Sequence, residues 1–374
     1  MTTPALSFLR PDDFRSPTDR DDTNAFRGLF AEVDRRLRRD EGGGVPVATV
    51  SVLLTRSYTV SGTILQPAPG RAQGLTVRGL GKRASEIVMT GAEPLLVNND
   101  RWMGVRFRDC SFRSTNSQAS YLRSLSTGGA QDWGWDNVEW RGSWAYGVGL
   151  DGPETSNCNS EMWWNNCHIN GSYGTAFLDI GQTPATKSQD QFLNYSFRDC
   201  KVEYDHGDFV RAQRGGFITV DGGSAIIKGQ KPDGTTSRFF HMPTAGHADA
   251  VQHLNVRGTR FELRHPTSQV IKSAWNGGHI VFDGVSDTAN GFKAFSTLLV
   301  AHEYTNPGGV SYRSCDLVGR HAYRQTAPTP RQRVVYDGCT RENNRTRERF
   351  LVVDGANALG APPIVHVNDG DGIK

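Results

Sequence analysis

A short motif recurs along most of the chain, and this repeat constrains the fold more than any other feature. In its clearest copy, residues 105–112 (VRFRDCSF), apolar and polar side chains alternate up to Asp109 and Cys110. With Cys110 as position zero, the motif returns about every 29 residues, and one double interval predicts a degenerate copy within 220–225. The zero positions are Leu80, Cys110, Val138, Cys167, Cys200, Thr259, Val285, Cys315 and Cys339.

The residues around position zero predict two strands joined by a bend. The positions three and five residues earlier are apolar or aromatic in every copy, which is the alternation of a strand with one buried face. The residue directly before zero is Gly, Asp, Asn or Ser, types that favour turns. Because so short a unit buries its apolar face only by stacking on its neighbours, the sequence predicts an all-β fold, a right-handed parallel β-helix of about ten coils.

Five of the six cysteines fall at position zero, in one predicted interior column. Buried thiols act as small hydrophobes. Stacked strands hold neighbouring Cβ atoms about 4.8 Å apart, beyond the ~3.5–4.5 Å that a disulfide needs. We therefore expect a ladder of reduced cysteines in the core. Cys158 lies outside the repeat and is the one thiol predicted to be accessible.

The segment before the first copy has the periodicity of an amphipathic helix. Its shared apolar face consists of Phe26, Leu29, Phe30, Val33 and Leu37. A solenoid leaves its terminal core open, so this helix is predicted to cap it. The predicted organisation is an N-terminal segment with the capping helix over 1–45, the β-helix over 46–345, and a C-terminal cap or tail over 346–374.

Three stretches near the N-terminus carry a family resemblance. They are Asp21–Phe26 (DDTNAF), Ser57–Val60 (SYTV) and Leu75–Gly81 (LTVRGLG). They resemble the opening of the pectate-lyase-like superfamily, in which many phage tail spikes are found. The segment before Tyr58 lacks the Pro-x-Gly that is usual there. The resemblance implies a β-helix and a virion protein, but members of the superfamily include lyases, hydrolases and inert binders, so it leaves the chemistry open.

Several classes of function have no support in the sequence. There is no nucleotide-binding loop, HExxH, GxSxG or CxxC motif, so neither a cofactor nor a metal is expected. A net charge of +3 gives no broad field for nucleic acid, and no stretch approaches the ~20 apolar residues of a membrane span. The start at Met1 shows no signal-peptide pattern, which predicts synthesis in a host cytoplasm and release by lysis.

A second column contains the candidate catalytic residues. The repeat alignment places Arg123, Asp151, Asp179 and Arg211 on successive coils. Carboxylates one coil apart would suit the acid and nucleophile of a retaining glycosidase, and their proximity would raise one pKa. The alternative is a structural charge ladder in which the arginines keep both acids ionised. Glu154, just beyond Asp151, is a third candidate catalytic residue.

Aromatic residues cluster in the same part of the chain. Six of the eight tryptophans lie within 133–164. The alignment predicts core positions for Trp133, Trp135, Trp140 and Trp164. Candidates for stacking on sugar rings are Trp144, Tyr146, Trp163 and Tyr173. With Arg123 and Arg211 they form the predicted substrate-binding set.

Together these features predict a bacteriophage tail spike or minor tail protein that binds, and potentially cleaves, a host surface polysaccharide. Two alternatives stay open, namely a free polysaccharide lyase or glycoside hydrolase and a structural decoration protein of the virion. Predicted partners are other virion proteins and two further copies of this chain. The outward apolar residues Val281, Val318 and Val335 predict a homotrimer packed along the C-terminal half.

Overall fold

Three long parallel sheets wind around one core. Sheet 1 has 12 strands, sheet 2 has 11 and sheet 3 has 10, and successive strands of each sheet come from successive coils. This arrangement, with one N-terminal helix, confirms the right-handed parallel β-helix and its capping helix. The computed structural model describes residues 8–37, 49–66, 72–99, 102–125, 131–152, 159–182, 192–245, 252–290, 300–326, 333–341, 351–354 and 364–368.

Each coil contributes strands to the three sheets in turn. The strands of sheet 1 are Val50–Leu54, Leu75–Gly79, Val105–Arg108, Gln131–Asp136, Ser160–Asn165, Tyr195–Arg198, Phe217–Asp221, His253–Arg257, His279–Asp283, Gly309–Arg313, Arg333–Asp337 and Ile364–Asn368. Those of sheet 2 are Tyr58–Val60, Glu86–Met89, Ser111–Ser114, Glu139–Trp144, His168–Tyr173, Lys201–Tyr204, Ser224–Ile227, Arg260–Leu263, Ser286–Ala289, Asp316–Leu317 and Thr340–Arg341. Those of sheet 3 are Pro94–Asn98, Ser120–Leu125, Tyr146–Asp151, Ala176–Ile180, Asp208–Ala212, Arg238–Met242, Gln269–Ser273, Val300–Thr305, Arg320–Arg324 and Leu351–Asp354. A short pair, Ala72–Gln73 with Trp102–Met103, completes the strands.

The bend between sheets 1 and 2 depends on left-handed backbone. In eight copies the residue before position zero has φ between 49° and 61°, and these residues are Asp109, Asn137, Asn166, Asp199, Gly258, Gly284, Ser314 and Gly338. The first copy differs, because its turn extends to Arg83 at φ 70°. Ser85 therefore takes the inward position, and Leu80, the expected residue, is 63% exposed. The predicted zero position at Leu80 is wrong.

Within the interior columns, similar side chains of successive coils stack on one another. Phe107, Trp135, Trp164 and Phe197 form a ladder whose successive ring planes lie 7°, 9° and 10° apart. The predicted core tryptophans are all buried. The five aligned cysteines are buried free thiols, as predicted, and Cys158 lies outside the described residues. Val318 is also buried, which corrects its predicted outward position.

The N-terminal helix spans Thr23–Leu37 and closes the first coil. All five predicted apolar residues of its inner face are buried. The ring of Phe26 packs edge-on against the ring of Tyr58, with 5.2 Å between the ring centroids. The carboxylate of Asp22 accepts hydrogen bonds from the Thr59 backbone N–H and from Arg56, both at 2.9 Å, which ties the helix start to sheet 2.

Charges alternate along one outward column of sheet 1. In successive register pairs this column consists of Arg198, Asp221, Arg257, Asp283, Arg313 and Asp337. Neighbouring opposite charges on adjacent strands attract, whereas a coil that slipped along the strand direction would lose these opposite-charge pairs. The column therefore favours the native register.

Reversing one charge in this column should destabilise the fold. Arg257→Glu would place three acids on consecutive strands, and we expect the free energy of unfolding to fall by about 1 kcal/mol at low salt. Added salt should reduce the loss, because the column is exposed. Arg257→Gln is the neutral control and should show a smaller loss in the same denaturant titration. Equal effects of both variants at every salt concentration would contradict the electrostatic account.

Candidate functional site

A group of half-buried and buried charged residues lies on the outer side of sheet 3. One outward column runs through Gly149, Asp179, Arg211, His241, Lys272 and Glu303 in direct register. A second runs through Asp208, Arg238 and Gln269. We name the charged members of both columns, together with the neighbouring pair Asp151 and Arg214, the charged strip. Its residues are Asp151, Asp179, Asp208, Arg211, Arg214, Arg238, His241, Lys272 and Glu303.

The predicted column of Arg123, Asp151, Asp179 and Arg211 is corrected at one position. Gly149, and not Asp151, pairs with both Arg123 and Asp179. That column followed from matching Tyr146–Asp151 with Tyr173–Asp179 in the sequence, but in the sheet it is Trp144 that pairs with Tyr173, a shift of two residues. Asp151 consequently lies beside Leu125, further along the strand.

The two aspartates each pair with an arginine of their own. Asp179 accepts a hydrogen bond from Arg211 at 3.0 Å and another from Gln182 at 3.3 Å. Burial raises the pKa of the Asp179 carboxyl, although Arg211 and Gln182 act in the opposite direction. Asp151 accepts a hydrogen bond from Arg214 at 3.3 Å. The buried environment of Asp179 therefore disfavours its charged form relative to an aspartate in water.

Asp208 anchors the middle of the strip. Its carboxylate is fully buried and lies 2.9 Å from Nδ1 of His241, 3.5 Å from Lys231 and 3.8 Å from Arg238. Oδ1 of Asp208 has no hydrogen-bond partner among the described residues. Burial lowers the pKa of His241, against the opposing effect of Asp208. A neutral imidazole held against a carboxylate is an arrangement suited to general base chemistry.

The predicted site residues included neither His241 nor Asp208. The coil that carries His241 comes after the degenerate copy of the repeat, so no motif marked its register. A usable signal was the spacing from Arg211, since His241 lies one period later in the same column.

Hydrogen bonds continue the strip towards the C-terminus. Arg238 donates to Gln269 at 2.9 Å, and Gln269 donates to Glu303 at 3.0 Å. Lys272 lies 3.0 Å from Glu303. The strip is thus a connected polar surface that crosses six strands of sheet 3, from Tyr146–Asp151 to Val300–Thr305.

Two of the predicted sugar-stacking residues are in the core. Trp144 and Tyr173 are buried, and their side chains donate hydrogen bonds to the carbonyls of Arg141 and Asn170. Trp144 is the last residue of the strand Glu139–Trp144 and has the same inward parity as Trp140, and Tyr173 is its register partner. The expectation that they lie on the surface is wrong.

The other predicted residues are more exposed. Trp163 lies on the outer face of sheet 1, with the guanidinium of Arg106 4.0 Å from its ring centre, so it belongs to a different face from the strip. Tyr146 lies on sheet 3, and its ring covers Gly149, where an added Cβ would fall 2.5 Å from it. Tyr146 is therefore the aromatic residue beside Asp179. Arg123 is exposed on the same sheet, and Glu154 lies outside the described residues.

The environment of His241 predicts a pH effect on stability. Since the folded state lowers the pKa of His241, the unfolded chain takes up the proton first as the pH falls, and stability declines below the ordinary histidine value of about 6.5. His241→Gln should therefore lose less stability than the wild type between about pH 7.5 and 5, as measured by thermal unfolding. His279→Gln, at an exposed position of sheet 1, is the control. An unchanged acid-induced loss in His241→Gln would refute this account.

Comparison with known proteins gives structural matches only. No protein-family model matches the chain, and no curated protein matches it in sequence. The chain is similar to full-length tailspike protein 2 of an Escherichia coli O157:H7 bacteriophage, with a TM-score of 0.50 and 10% identity over 98% of this chain and 41% of that one. The enzymatically active domain of tailspike protein 2 of bacteriophage CBA120 gives a TM-score of 0.50 and 10% identity, over 98% and 46%.

A bacterial enzyme has a similar outline. The catalytic unit of an α-1,3-glucanase from Streptomyces thermodiastaticus gives a TM-score of 0.49 and 13% identity, over 100% of this chain and 69% of that one. The chain spans less than half the length of the tailspike chains it matches. Among the described residues, no helix has the length and apolar character needed to cross a membrane. The chain shares its right-handed parallel β-helix fold with the phage tailspike.

Proposed function

We propose that this chain is a bacteriophage tail spike or minor tail protein that binds a host surface polysaccharide along the charged strip and cleaves it there. The observation that carries the proposal is the connected strip itself. It holds six cationic or carboxylate groups in hydrogen bonds or ion pairs across consecutive coils: Asp179, Arg211, Asp208, Arg238, Lys272 and Glu303. Such a surface, extended along the stacking axis, suits a polymer better than a small ligand.

The residue types match the chemistry of a glycan. Sugar hydroxyls and uronate or phosphate groups accept hydrogen bonds from guanidinium and ammonium groups, which the strip presents on Arg211, Arg238 and Lys272. Tyr146 offers a half-exposed ring beside Asp179 for stacking on the apolar face of a sugar. Because the polar groups are already held in place, little side-chain freedom is lost on binding.

For cleavage, Asp179 is proposed as the general acid. Its buried carboxyl, with a raised pKa, has the property that proton donation to a leaving oxygen requires. Asp151, on the adjacent strand, and Glu154, three residues beyond it, are proposed as sources of the second carboxylate. The tailspike with the same fold is described as having an enzymatically active domain, which supports this proposal by analogy alone.

Placement in a virion is part of the same proposal. The tailspike likeness of the fold and the N-terminal resemblance support a virion protein over a secreted lyase or hydrolase. A structural decoration protein would have the same fold without ligand binding, so a binding assay separates these two functions.

Replacing Asp179 tests the catalytic proposal. Asp179→Asn should reduce depolymerisation of a bound bacterial surface polysaccharide at least ~100-fold, because general acid catalysis contributes typically 10²–10⁴-fold. Binding on an array of capsular and O-antigen polysaccharides should be kept. Asp283→Asn, on the outer edge of sheet 1, is the matched control and should cleave at the wild-type rate.

The outcomes separate the alternatives. A folded Asp179→Asn variant that cleaves at the wild-type rate contradicts the assignment of Asp179. Binding by the wild type without cleavage leaves a receptor-binding tail protein and removes the enzymatic step. A folded wild type that binds no polysaccharide favours the decoration protein.

Trimer formation is also proposed, on the outer face of sheet 1. Val281 and Val335 lie half-buried in the same column, two coils apart. Light scattering should give a mass three times that of the 41.1-kDa chain. Val281→Asp should shift the protein towards monomer, because burying an unpaired carboxylate in an interface is costly. Thr288→Asp on sheet 2 is the control, and a monomeric wild type at micromolar concentration would contradict the proposal.

A further inference from the structure

Three ionisable side chains meet inside the β-helix, on the opposite face of sheet 3 from the charged strip. Asp287 comes from sheet 2, and His302 and His321 are register partners on adjacent strands of sheet 3. All three are completely buried, and one potential ligand atom from each lies within 4.8 Å of the others. In the preceding coils the same interior column of sheet 3 is apolar throughout: Leu122, Val148, Leu178, Val210, Phe240 and Ile271.

Tyrosine hydroxyls orient both imidazoles. Nδ1 of His302 lies 2.9 Å from the hydroxyl of Tyr312, and Nδ1 of His321 lies 2.7 Å from that of Tyr336. Nε2 of His302 lies 2.7 Å from Oδ2 of Asp287. Histidines that bind metals through Nε2 characteristically hold their other ring nitrogen in a hydrogen bond of this kind.

The buried carboxylate of Asp287 is incompletely hydrogen-bonded. Oδ1 of Asp287 is buried and has no hydrogen-bond partner among the described residues, and burial raises the pKa of this carboxyl. The two imidazole rings stack with centroids 4.0 Å apart. The site therefore holds a buried carboxylate oxygen without a hydrogen-bond donor beside two closely packed imidazole rings.

We propose that Asp287, His302 and His321 bind a divalent first-row transition ion of the zinc class in the core of the β-helix. Two imidazoles and one carboxylate are ligands that such ions accept. With metal–ligand bonds of about 2.0–2.2 Å, tetrahedral ligand atoms lie about 3.3–3.6 Å apart, so Nε2 of His302 and Oδ2 of Asp287, now 2.7 Å apart, would have to separate by about 1 Å or less. The ion would join Ser286–Ala289, Val300–Thr305 and Arg320–Arg324 and so clamp successive coils together.

A metal at this position departs from the expectation that no metal binds. That expectation rested on the absence of local motifs, and these ligands come from three strands of two sheets. Only the stacking of coils brings them together. The site is separate from the proposed glycan surface, so the two proposals can fail independently.

Metal analysis of the full chain tests the proposal. Because the site is closed, the ion should enter during folding, so protein expressed with added Zn²⁺ should contain about one zinc per chain after dialysis. Protein unfolded with a chelator and refolded with Co²⁺ should show visible d–d absorption and a higher unfolding temperature than protein refolded without metal. Asp287→Asn and His321→Gln should each lose at least about nine-tenths of the bound metal.

The control variant addresses adventitious binding at surface histidines. His253 and His279 are register partners on the outer face of sheet 1, and the double substitution His253→Gln/His279→Gln should leave the metal content unchanged. A wild type that holds no zinc or cobalt by either route, and refolds to the same stability without them, overturns the proposal. This result decides the question even if the core variants fail to fold. Loss of metal in the surface variant alone would likewise overturn it.

Discussion

In-register stacking of parallel strands is the constraint on which the rest of this structure depends. Each interior position contacts the same position of the next coil, so its side chain must suit its own neighbours on both sides. Flat aromatic rings meet this requirement by stacking, as in Trp135 and Trp164, whose centroids lie 4.8 Å apart, the spacing of adjacent strands. The position-zero column meets it differently, because Cys167 and Cys200 each donate to a carbonyl of the preceding coil. The hydroxyls of Ser85 and Thr259 likewise donate to backbone carbonyls of the preceding coil.

The outer columns obey the same register but are free to carry charge. On sheet 1, Arg and Asp alternate and neutralise one another along an exposed edge, an arrangement that serves register. On sheet 3, the charges are drawn into the surface, and Asp179 and Asp208 are almost or completely buried. Burial of a carboxylate costs free energy and raises the pKa of Asp179, and a nearby cation compensates each carboxylate only in part. Sheet 3 is therefore the face on which the buried charges lower the stability of the fold, and buried charges of this kind are common at functional sites.

The sequence predicted the first strand and bend of each coil far better than the later strand that joins sheet 3. The bend is encoded locally by residues such as Asp109 and Asn137, whose left-handed backbone few other residues tolerate. Beyond it, the position of sheet 3 depends on how far sheet 2 extends, and no residue marks that point. This is why the alignment matched Tyr146 with Tyr173, whose register partner is in fact Trp144. It is also why Asp151 was placed in the column of Gly149. The same uncertainty hid His241, while Asp179 and Arg211 were aligned correctly, each directly after an inward apolar residue, Leu178 or Val210.

Polar groups in the core show which side chains the in-register stacking of coils can accommodate. A single donor such as the thiol of Cys315 needs one acceptor, and a backbone carbonyl of the coil before it, that of Phe282, provides one. A carboxylate such as Asp287 needs donors, and in a parallel coil the strand N–H groups are already engaged in the sheets. Its charge has to be met by other side chains that the stacking brings near, in this case His302 and the tyrosine it contacts. A solenoid can therefore gather ligands from separate coils without any local motif, because its regular spacing does the positioning that a motif does elsewhere.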